Sequence, residues 1–167
     1  MLRSSCRGRF PRKASCGAWG PAVLLSLALV LALAPPARAD RVLPVAVHTI
    51  RDDPGGAIGA RVRQVAALRA EGARVRITGG CWSSCTMLLA LPGACVTPSA
   101  RLGFHGPGSG RYGIALSPAA FERWSRVMAS HYPEPLRGWY LREGRNITVG
   151  FTVMRGAELI RLGIPAC

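Results

Sequence analysis

Short apolar runs alternate with amphipathic stretches along most of this chain. Residues 42–50 (VLPVAVHTI) are β-branched and nearly all apolar, which is typical of a buried strand. Shorter runs follow, and together they predict four strands, at residues 42–50, 74–78, 94–97 and 101–105. Glycine-rich segments predict a loop at residues 51–56, a turn at Gly79-Gly80 and a flexible loop at residues 106–110.

Helical periodicity fills most of the intervening sequence. Apolar side chains recur at helical spacing after Gly59, and Glu71-Gly72 ends that helix with a glycine. Ser117 as N-cap and Pro118 in the first turn begin another helix. The predicted helices are residues 59–71, 83–91, 117–131, 135–143 and 156–162, of which 83–91 is apolar and expected to be buried. Strands separated by helices indicate an α/β fold with βαβ units, a parallel sheet and flanking helices.

The N-terminal segment has a different pattern. Basic residues precede a 12-residue apolar run at residues 22–33, and Ala37-Arg38-Ala39 is a small-x-small cleavage site. These features predict a signal peptide at residues 1–39, cleaved after Ala39, and a periplasmic or secreted protein without a stable membrane anchor. A transmembrane anchor is the alternative, although a span needs about 20 apolar residues. The predicted mature chain, residues 40–167, is long enough for one domain with its own core.

The net charge of the chain does not by itself identify a class of binding partner. The sequence has 22 basic and 8 acidic residues, and six of the basic residues lie in the first 39, so a formal charge of +8 remains for residues 40–167. The basic residues there are all arginines, and they are scattered rather than clustered among aromatic residues. Because no nucleic-acid motif accompanies them, we interpret them as a solvated basic surface and expect no nucleic-acid partner.

Four cysteines lie in the predicted mature chain, namely Cys81, Cys85, Cys95 and Cys167. An even number in an exported protein indicates two disulfides, with three possible connectivities. A zinc site would need a second ligand pair beside Cys81 and Cys85, and none accompanies them, so neither a metal nor another cofactor is expected. Cys85 as a thiol nucleophile is an alternative that the even cysteine count disfavours.

Three short motifs carry candidate chemistry. Ser83 and Ser84 follow a predicted strand at the start of a helix, where the helix dipole favours a developing negative charge. His105 ends a predicted strand at the edge of a parallel sheet, where ligands bind. Gly55 and Gly56 can present backbone N–H groups. Nucleophile, base and oxyanion donors are the parts that acyl transfer requires, although a helix cap, a packed histidine and a tight turn are the ordinary alternatives.

The order of these motifs resembles the crotonase-like superfamily, and within it most closely the proteolytic subunit of the Clp protease and the signal peptide peptidase A group. The resemblance covers about residues 45–163. The Cys-x-Ser-x-Cys-Thr sequence at residues 81–86 is similar to a group of exported bacterial proteins of this superfamily. The matching segments are Asp53-Pro54-Gly55-Gly56, Gly79-Gly80-Cys81-Trp82-Ser83, Leu88-Leu89-Ala90, residues 98–105 (PSARLGFH) and residues 157–164 (AELIRLGI).

The resemblance implies a crotonase/Clp-protease-like domain over residues 40–167 and gives roles to four residues. Ser83, rather than Ser84, falls at the nucleophile position, His105 at the general base, and Gly55 and Gly56 on the oxyanion loop. The resemblance also implies a peptide or acyl substrate and a possible homo-oligomer. Residues 128–140, which are rich in aromatic residues and proline, would form a lid, an assembly surface or ordinary packing. Trp82 would form a pocket wall or part of the core.

One departure from the family pattern separates two hypotheses. The Clp-type triad has an aspartate where this chain has Phe151, and residues 144–157 contain no acidic residue. A backbone carbonyl, Glu143 or Glu158 would then have to orient His105. The first hypothesis is an exported, peptidase-like serine hydrolase with a Ser–His dyad, which is slower than a triad but not inert. The second is a catalytically inactive binding or assembly module of the same fold.

Overall fold

A five-stranded sheet with flanking helices forms the part of the chain that the computed structural model describes, residues 45–111 and 114–167. These residues lie within one compact unit, Leu43–Cys167. The predicted signal peptide and residues 42–44 of the first predicted strand lie outside the described residues. In chain order the elements are β1 (Val47–Asp53), α1 (Ile58–Ala70), β2 (Arg74–Trp82), a 3₁₀ helix (Ser83–Ala90), β3 (Cys95–Val96), β4 (Arg101–Phe104), α2 (Pro118–Ala129), α3 (Leu136–Arg142), a 3₁₀ turn (Gly144–Asn146), β5 (Thr152–Arg155) and α4 (Gly156–Arg161).

The sheet is mostly parallel. Its order is β1-β2-β4-β5, and β3 pairs with the first half of β2 on the same side as β4. β1, β3 and β4 all run parallel to β2, and β1-α1-β2 is a βαβ unit, as predicted. The predicted parallel sheet is confirmed for these strands, whereas β5, which was not predicted, pairs antiparallel with β4. Four residues without regular alternation left no strand signal for β5 in the sequence.

Alternation along the strands gives the sheet one buried and one exposed face. Val75, Ile77 and Cys81 of β2 are buried, together with Leu102 of β4, whereas the residues between them in β2 are exposed or half-buried. The buried side chains pack against α1, the 3₁₀ helix, α2 and α3. The largest of them, each less than 2% exposed, are Tyr132, Tyr140, Phe104, Ile77, Met87, Leu88, Leu102, Met128, Leu136, Leu159, Val65 and Val75.

Two local predictions for the strands are wrong. The first strand was expected to be buried, but β1 is an edge strand, and Val47 is 60% exposed. The predicted turn at Gly79-Gly80 is part of β2, opposite an irregularity of register in β1. A Cβ atom at Gly79 would overlap the carbonyl oxygen of Arg51, so glycine here permits close approach of the two strands rather than a turn.

The disulfides pair Cys81 with Cys85 and Cys95 with Cys167. The first joins the end of β2 to the following 3₁₀ helix. The second holds the C-terminus beside β3, where Val96 and Ala166 also form a β-bridge. Because Cys85 is buried in a disulfide, it is not a thiol nucleophile. Two disulfides fit a protein of an oxidising compartment.

The other sequence predictions of local structure hold in most places. Ser117 caps α2 by accepting a hydrogen bond from the Ala120 N–H, and Pro118 is the first residue of that helix. Gly72 follows α1 with a φ of 64°. None of the helices in the described part of the chain is long and apolar enough to cross a membrane.

Candidate catalytic site

Ser83 and His105 come together at the carboxyl ends of two adjacent parallel strands. Trp82, the last residue of β2, is opposite Gly103 in β4, so the two residues that follow these strands lie side by side. Ser83 Oγ and His105 Nε2 are 2.7 Å apart, although 22 residues separate them in sequence. This distance suits proton transfer from a serine hydroxyl to an imidazole.

The backbone of Ser83 has a φ of 55°, in the left-handed region that non-glycine residues rarely adopt. Such backbone strain is concentrated at functional sites, because the surroundings must hold it in place. The disulfide between Cys81 and Cys85 spans the strained residue, and Thr86 Oγ1 donates a hydrogen bond of 2.7 Å to the Ser83 carbonyl. Thr86 Oγ1 is itself 2.8 Å from the Tyr132 hydroxyl, which is fully buried. The disulfide and the Thr86 hydrogen bond therefore hold the Ser83 backbone in this conformation.

The neighbouring Ser84 has a different environment. Its side chain is fully buried, and its Oγ has no hydrogen-bond partner among the described residues. No side chain caps the 3₁₀ helix, so the cap interpretation does not account for either serine. Ser83, in contrast, lines a cleft.

His105 is half-buried, and four contacts fix it. Besides Ser83, the Phe151 ring packs edge-to-face on the imidazole, with 4.9 Å between ring centroids. The Tyr140 hydroxyl donates to the His105 carbonyl at 3.2 Å. Burial lowers the pKa of His105 below its usual 6.5, and a hydrogen bond to the Gly106 backbone partly offsets that shift. A lowered pKa keeps the imidazole neutral near pH 7, the form that accepts a proton.

No carboxylate of the described residues forms a hydrogen bond or ion pair with His105. Glu143, one of the two candidates for orienting the imidazole, instead accepts a hydrogen bond from Trp139 Nε1 at 3.0 Å. Glu158, the other candidate, has no hydrogen bond to His105 either. Phe151, the residue at which the sequence resemblance would place a triad aspartate, is in direct contact with the imidazole.

The Gly55-Gly56 loop lies against the Ser83 turn. A Cβ atom at Gly55 would come within 2.7 Å of Ser83 Cβ, so only glycine permits this approach. The N–H of Gly55 donates to Asp53 Oδ1 at 2.8 Å and is therefore already used. Gly56 lines the cleft beside Ser83 and His105. Of the two predicted oxyanion amides, the Gly56 amide is thus the one not bonded to Asp53.

A buried ion pair anchors this loop. Arg61 Nη2 lies 2.9 and 2.8 Å from the two carboxylate oxygens of Asp53, and Arg61 Nη1 donates to Gln64 Oε1 at 2.7 Å. Arg61 is 7% exposed and Asp53 is 20% exposed, so both charges are largely removed from water. Asp53 therefore joins the first turn of α1 to the glycine loop.

The cleft has a volume of about 720 Å³. It opens between the start of α1, the loop after β4 and α2, and its lining includes Ile58, Trp124 and Met128 beside Ser83 and His105. Trp82 is not part of this lining. Within residues 128–140, the side chains of Tyr132, Leu136 and Tyr140 are buried in the core, and Met128 lines the cleft.

Sequence reasoning missed three residues that hold the site. Thr86 belongs to the Cys-x-Ser-x-Cys-Thr sequence, but its hydrogen bond to the Ser83 carbonyl has no local signal. Arg61 follows Asp53 by eight residues, with Asp53 at the end of a strand and Arg61 in the first turn of the next helix. This spacing is one from which an ion pair could have been predicted. Tyr140 is 35 residues from His105, and nothing in the sequence links them.

No protein-family model matches this sequence, and no curated protein matches it either. Within the described residues, no group of three or more His, Cys, Asp or Glu side chains is arranged to hold a metal ion.

Proposed function

We propose that this protein is an exported serine hydrolase, with peptides as the substrate class that we favour over other acyl compounds. The observation that carries the proposal is the 2.7 Å distance between Ser83 Oγ and His105 Nε2 at the wall of a cleft. The two disulfides and the predicted signal peptide support export to the periplasm or beyond. The crotonase/Clp-protease-like fold belongs to this proposal, because the order of the motifs supports it and the mostly parallel α/β sheet is compatible with it.

In the proposed reaction, neutral His105 takes the hydroxyl proton at Nε2 while Ser83 Oγ forms a bond to the substrate carbonyl carbon. The carbonyl π electrons move to oxygen and give a tetrahedral oxyanion. The Gly56 N–H and the N–H of Ser84, which lies beside Gly55, are the donors that we assign to this oxyanion. His105 then gives its proton to the leaving group, and water hydrolyses the acyl-enzyme by the same steps.

The test is labelling by a fluorophosphonate probe, which reacts covalently with activated serines. We expect Ser83→Ala to abolish labelling and His105→Gln to slow it by about 100-fold or more, the scale of a lost general base. Ser84→Ala is the matched control, because it removes a buried hydroxyl that has no hydrogen-bond partner among the described residues and keeps the backbone N–H assigned to the oxyanion, so this variant should label like the wild type. Labelling that persists in Ser83→Ala would refute the proposal.

A second function is favoured because no carboxylate among residues 45–111 and 114–167 pairs with His105. Without one, the imidazolium that forms during attack has no charge partner, which suits a protein that binds peptides but no longer hydrolyses them. The disulfide-intact protein would then bind peptides, as measured by calorimetry, while no serine-directed probe reacts with it.

A further inference from the structure

The exposed face of the sheet carries a pair of arginines that lie directly opposite each other. Arg101 in β4 is paired with Arg155 in β5, and both side chains are exposed. The Gly156 N–H donates to the Ala100 carbonyl beside them, which is the pattern of a non-hydrogen-bonded antiparallel pair. Side chains at such a pair are close, with Cβ atoms about 4.5–5.5 Å apart.

Like charges directly opposite each other destabilise a sheet. Arg101 and Arg155 are among the arginines in the described part of the chain that have no carboxylate within 4 Å, and they are the two that lie opposite each other in the sheet. The two arginines line a surface hollow of about 520 Å³ together with Ser99 and Val153. An anionic group in this hollow would contact both guanidinium groups and the Ser99 hydroxyl, and it would relieve their repulsion.

A continuous set of ring contacts connects this pair with the Ser83–His105 site. The Arg101 guanidinium lies 5.9 Å from the centre of the Trp82 ring, and the Trp82 and Phe151 rings are 5.6 Å apart. Phe151 in turn contacts His105. Arg101 precedes His105 by four strand residues, which corresponds to about 13 Å. The strip between them is apolar and open, since Phe151 and Val153 are 46% and 40% exposed.

We propose that the arginine pair, Arg101 and Arg155, binds a carboxylate of an acidic polypeptide that lies along this strip towards Ser83. The acidic residue would be about four extended residues from the acyl group that Ser83 attacks. A polypeptide fits better than a free anion, because the apolar strip between the two sites offers contacts that only further side chains can use. A second copy of this face fits poorly, because it would bring the same arginines together. The inference rests on the proposed function only for its link to Ser83.

The experiment measures binding of a hexaglutamate peptide by titration calorimetry at low and high salt, with Ser83→Ala protein so that binding is separated from turnover. We expect the double variant Arg101→Gln/Arg155→Gln to weaken binding about tenfold, which lies within the range for two exposed ion pairs. The control is Arg63→Gln/Arg142→Gln, which removes the same net charge from exposed positions on α1 and α3 and should leave the affinity unchanged. Equal weakening in both double variants, or none in either, would overturn the proposal.

Two further arms identify the ligand and its position. Inorganic phosphate or anionic lipid vesicles that bind as tightly as hexaglutamate, with the same arginine dependence, would overturn a polypeptide ligand. In wild-type protein, hexaglutamate should slow fluorophosphonate labelling of Ser83, and unchanged labelling with the peptide bound would refute the link to Ser83. If the probe labels no serine at all but arginine-dependent binding persists, the hydrolase proposal fails and the acidic-peptide surface stands.

Discussion

Replacing Asp53 by asparagine tests whether a buried ion pair holds the glycine loop at the site. Asp53 accepts hydrogen bonds from Arg61 and from the Gly55 N–H, and only 7% of Arg61 and 20% of Asp53 are exposed. Removing one partner of a fully buried pair costs about 3–5 kcal/mol, because the other charge stays buried without compensation. Since a fifth of Asp53 is exposed and the asparagine oxygen still accepts one hydrogen bond, we expect a loss of about 2–3 kcal/mol.

Urea denaturation of disulfide-intact protein measures this loss. The matched control is Arg126→Gln, which breaks the ion pair with Glu122 at 75% and 39% exposure and should cost under about 0.5 kcal/mol. Combining Asp53→Asn with Arg61→Gln should cost less than the sum of the single changes by about 1 kcal/mol or more, since the pair is lost only once. A loss no larger than in Arg126→Gln, or additive single effects, would refute the reasoning.

The same variant has a consequence for chemistry. In Asp53→Asn, one amide oxygen replaces two carboxylate oxygens and cannot serve both Arg61 and the Gly55 N–H as the carboxylate does, so the turn that brings Gly56 beside Ser83 is held less firmly. We expect fluorophosphonate labelling of Ser83 to slow by about tenfold or more at a urea concentration where the variant is still folded, because a misplaced oxyanion donor costs about that much or more. Normal labelling in the destabilised variant would mean that the ion pair supports the fold but not the site.

Three further predictions concern the same site. Since burial lowers the pKa of His105, the labelling rate should fall with decreasing pH, with its midpoint below 6.5. The lowered pKa also contributes stability that is present above pH 6.5 and lost as the pH falls through the lowered pKa, and a rate midpoint at or above 6.5 would contradict both expectations. Phe151→Asp should raise the labelling rate about tenfold and move the midpoint of its pH profile upward, because a carboxylate beside an imidazole raises the imidazole pKa. An unchanged pH profile would show that the side chain at position 151 does not reach the His105 ring. Gly55→Ala should lower the free energy of unfolding, measured in urea, by about 2–4 kcal/mol and Gly56→Ala by about 1 kcal/mol, because both residues have a positive φ but only Gly55 is packed against Ser83. Equal losses in the two variants would argue against this packing.

Local pattern predicted most of the secondary structure, because it depends on nearby residues. The helix at residues 58–70, its terminal Gly72 and the Ser117 cap all follow from spacing and capping preferences. Burial of β1 could not be predicted in this way, since an apolar run does not reveal whether a strand lies at the edge of its sheet. The direction of β5 depends on pairing with β4 nearly fifty residues earlier, which no local pattern contains.

The candidate site likewise has a part that local sequence predicts and a part that it does not. The convergence of Ser83 and His105 could be expected because the carboxyl ends of adjacent parallel strands meet at one edge of the sheet. The groups that fix these two residues could not, since Thr86 and Tyr140 act through single hydrogen bonds to backbone carbonyls. The predicted Gly55 amide illustrates the limit: its glycine is required by packing, while its N–H is taken by Asp53.

The contacts around His105 separate the two roles that a triad carboxylate performs. Its orienting role is already covered here, because Ser83, Phe151 and the Gly106 backbone contact the imidazole, while Tyr140 holds the His105 backbone carbonyl. Its electrostatic role is not, since an aromatic ring does not stabilise an imidazolium edge-on as a carboxylate does. A Ser–His pair in these surroundings should therefore be well placed but slow. A rate gain in Phe151→Asp with no gain in stability would then measure the electrostatic role alone, because Ser83 and the Gly106 backbone still hold the imidazole after the Phe151 ring is removed.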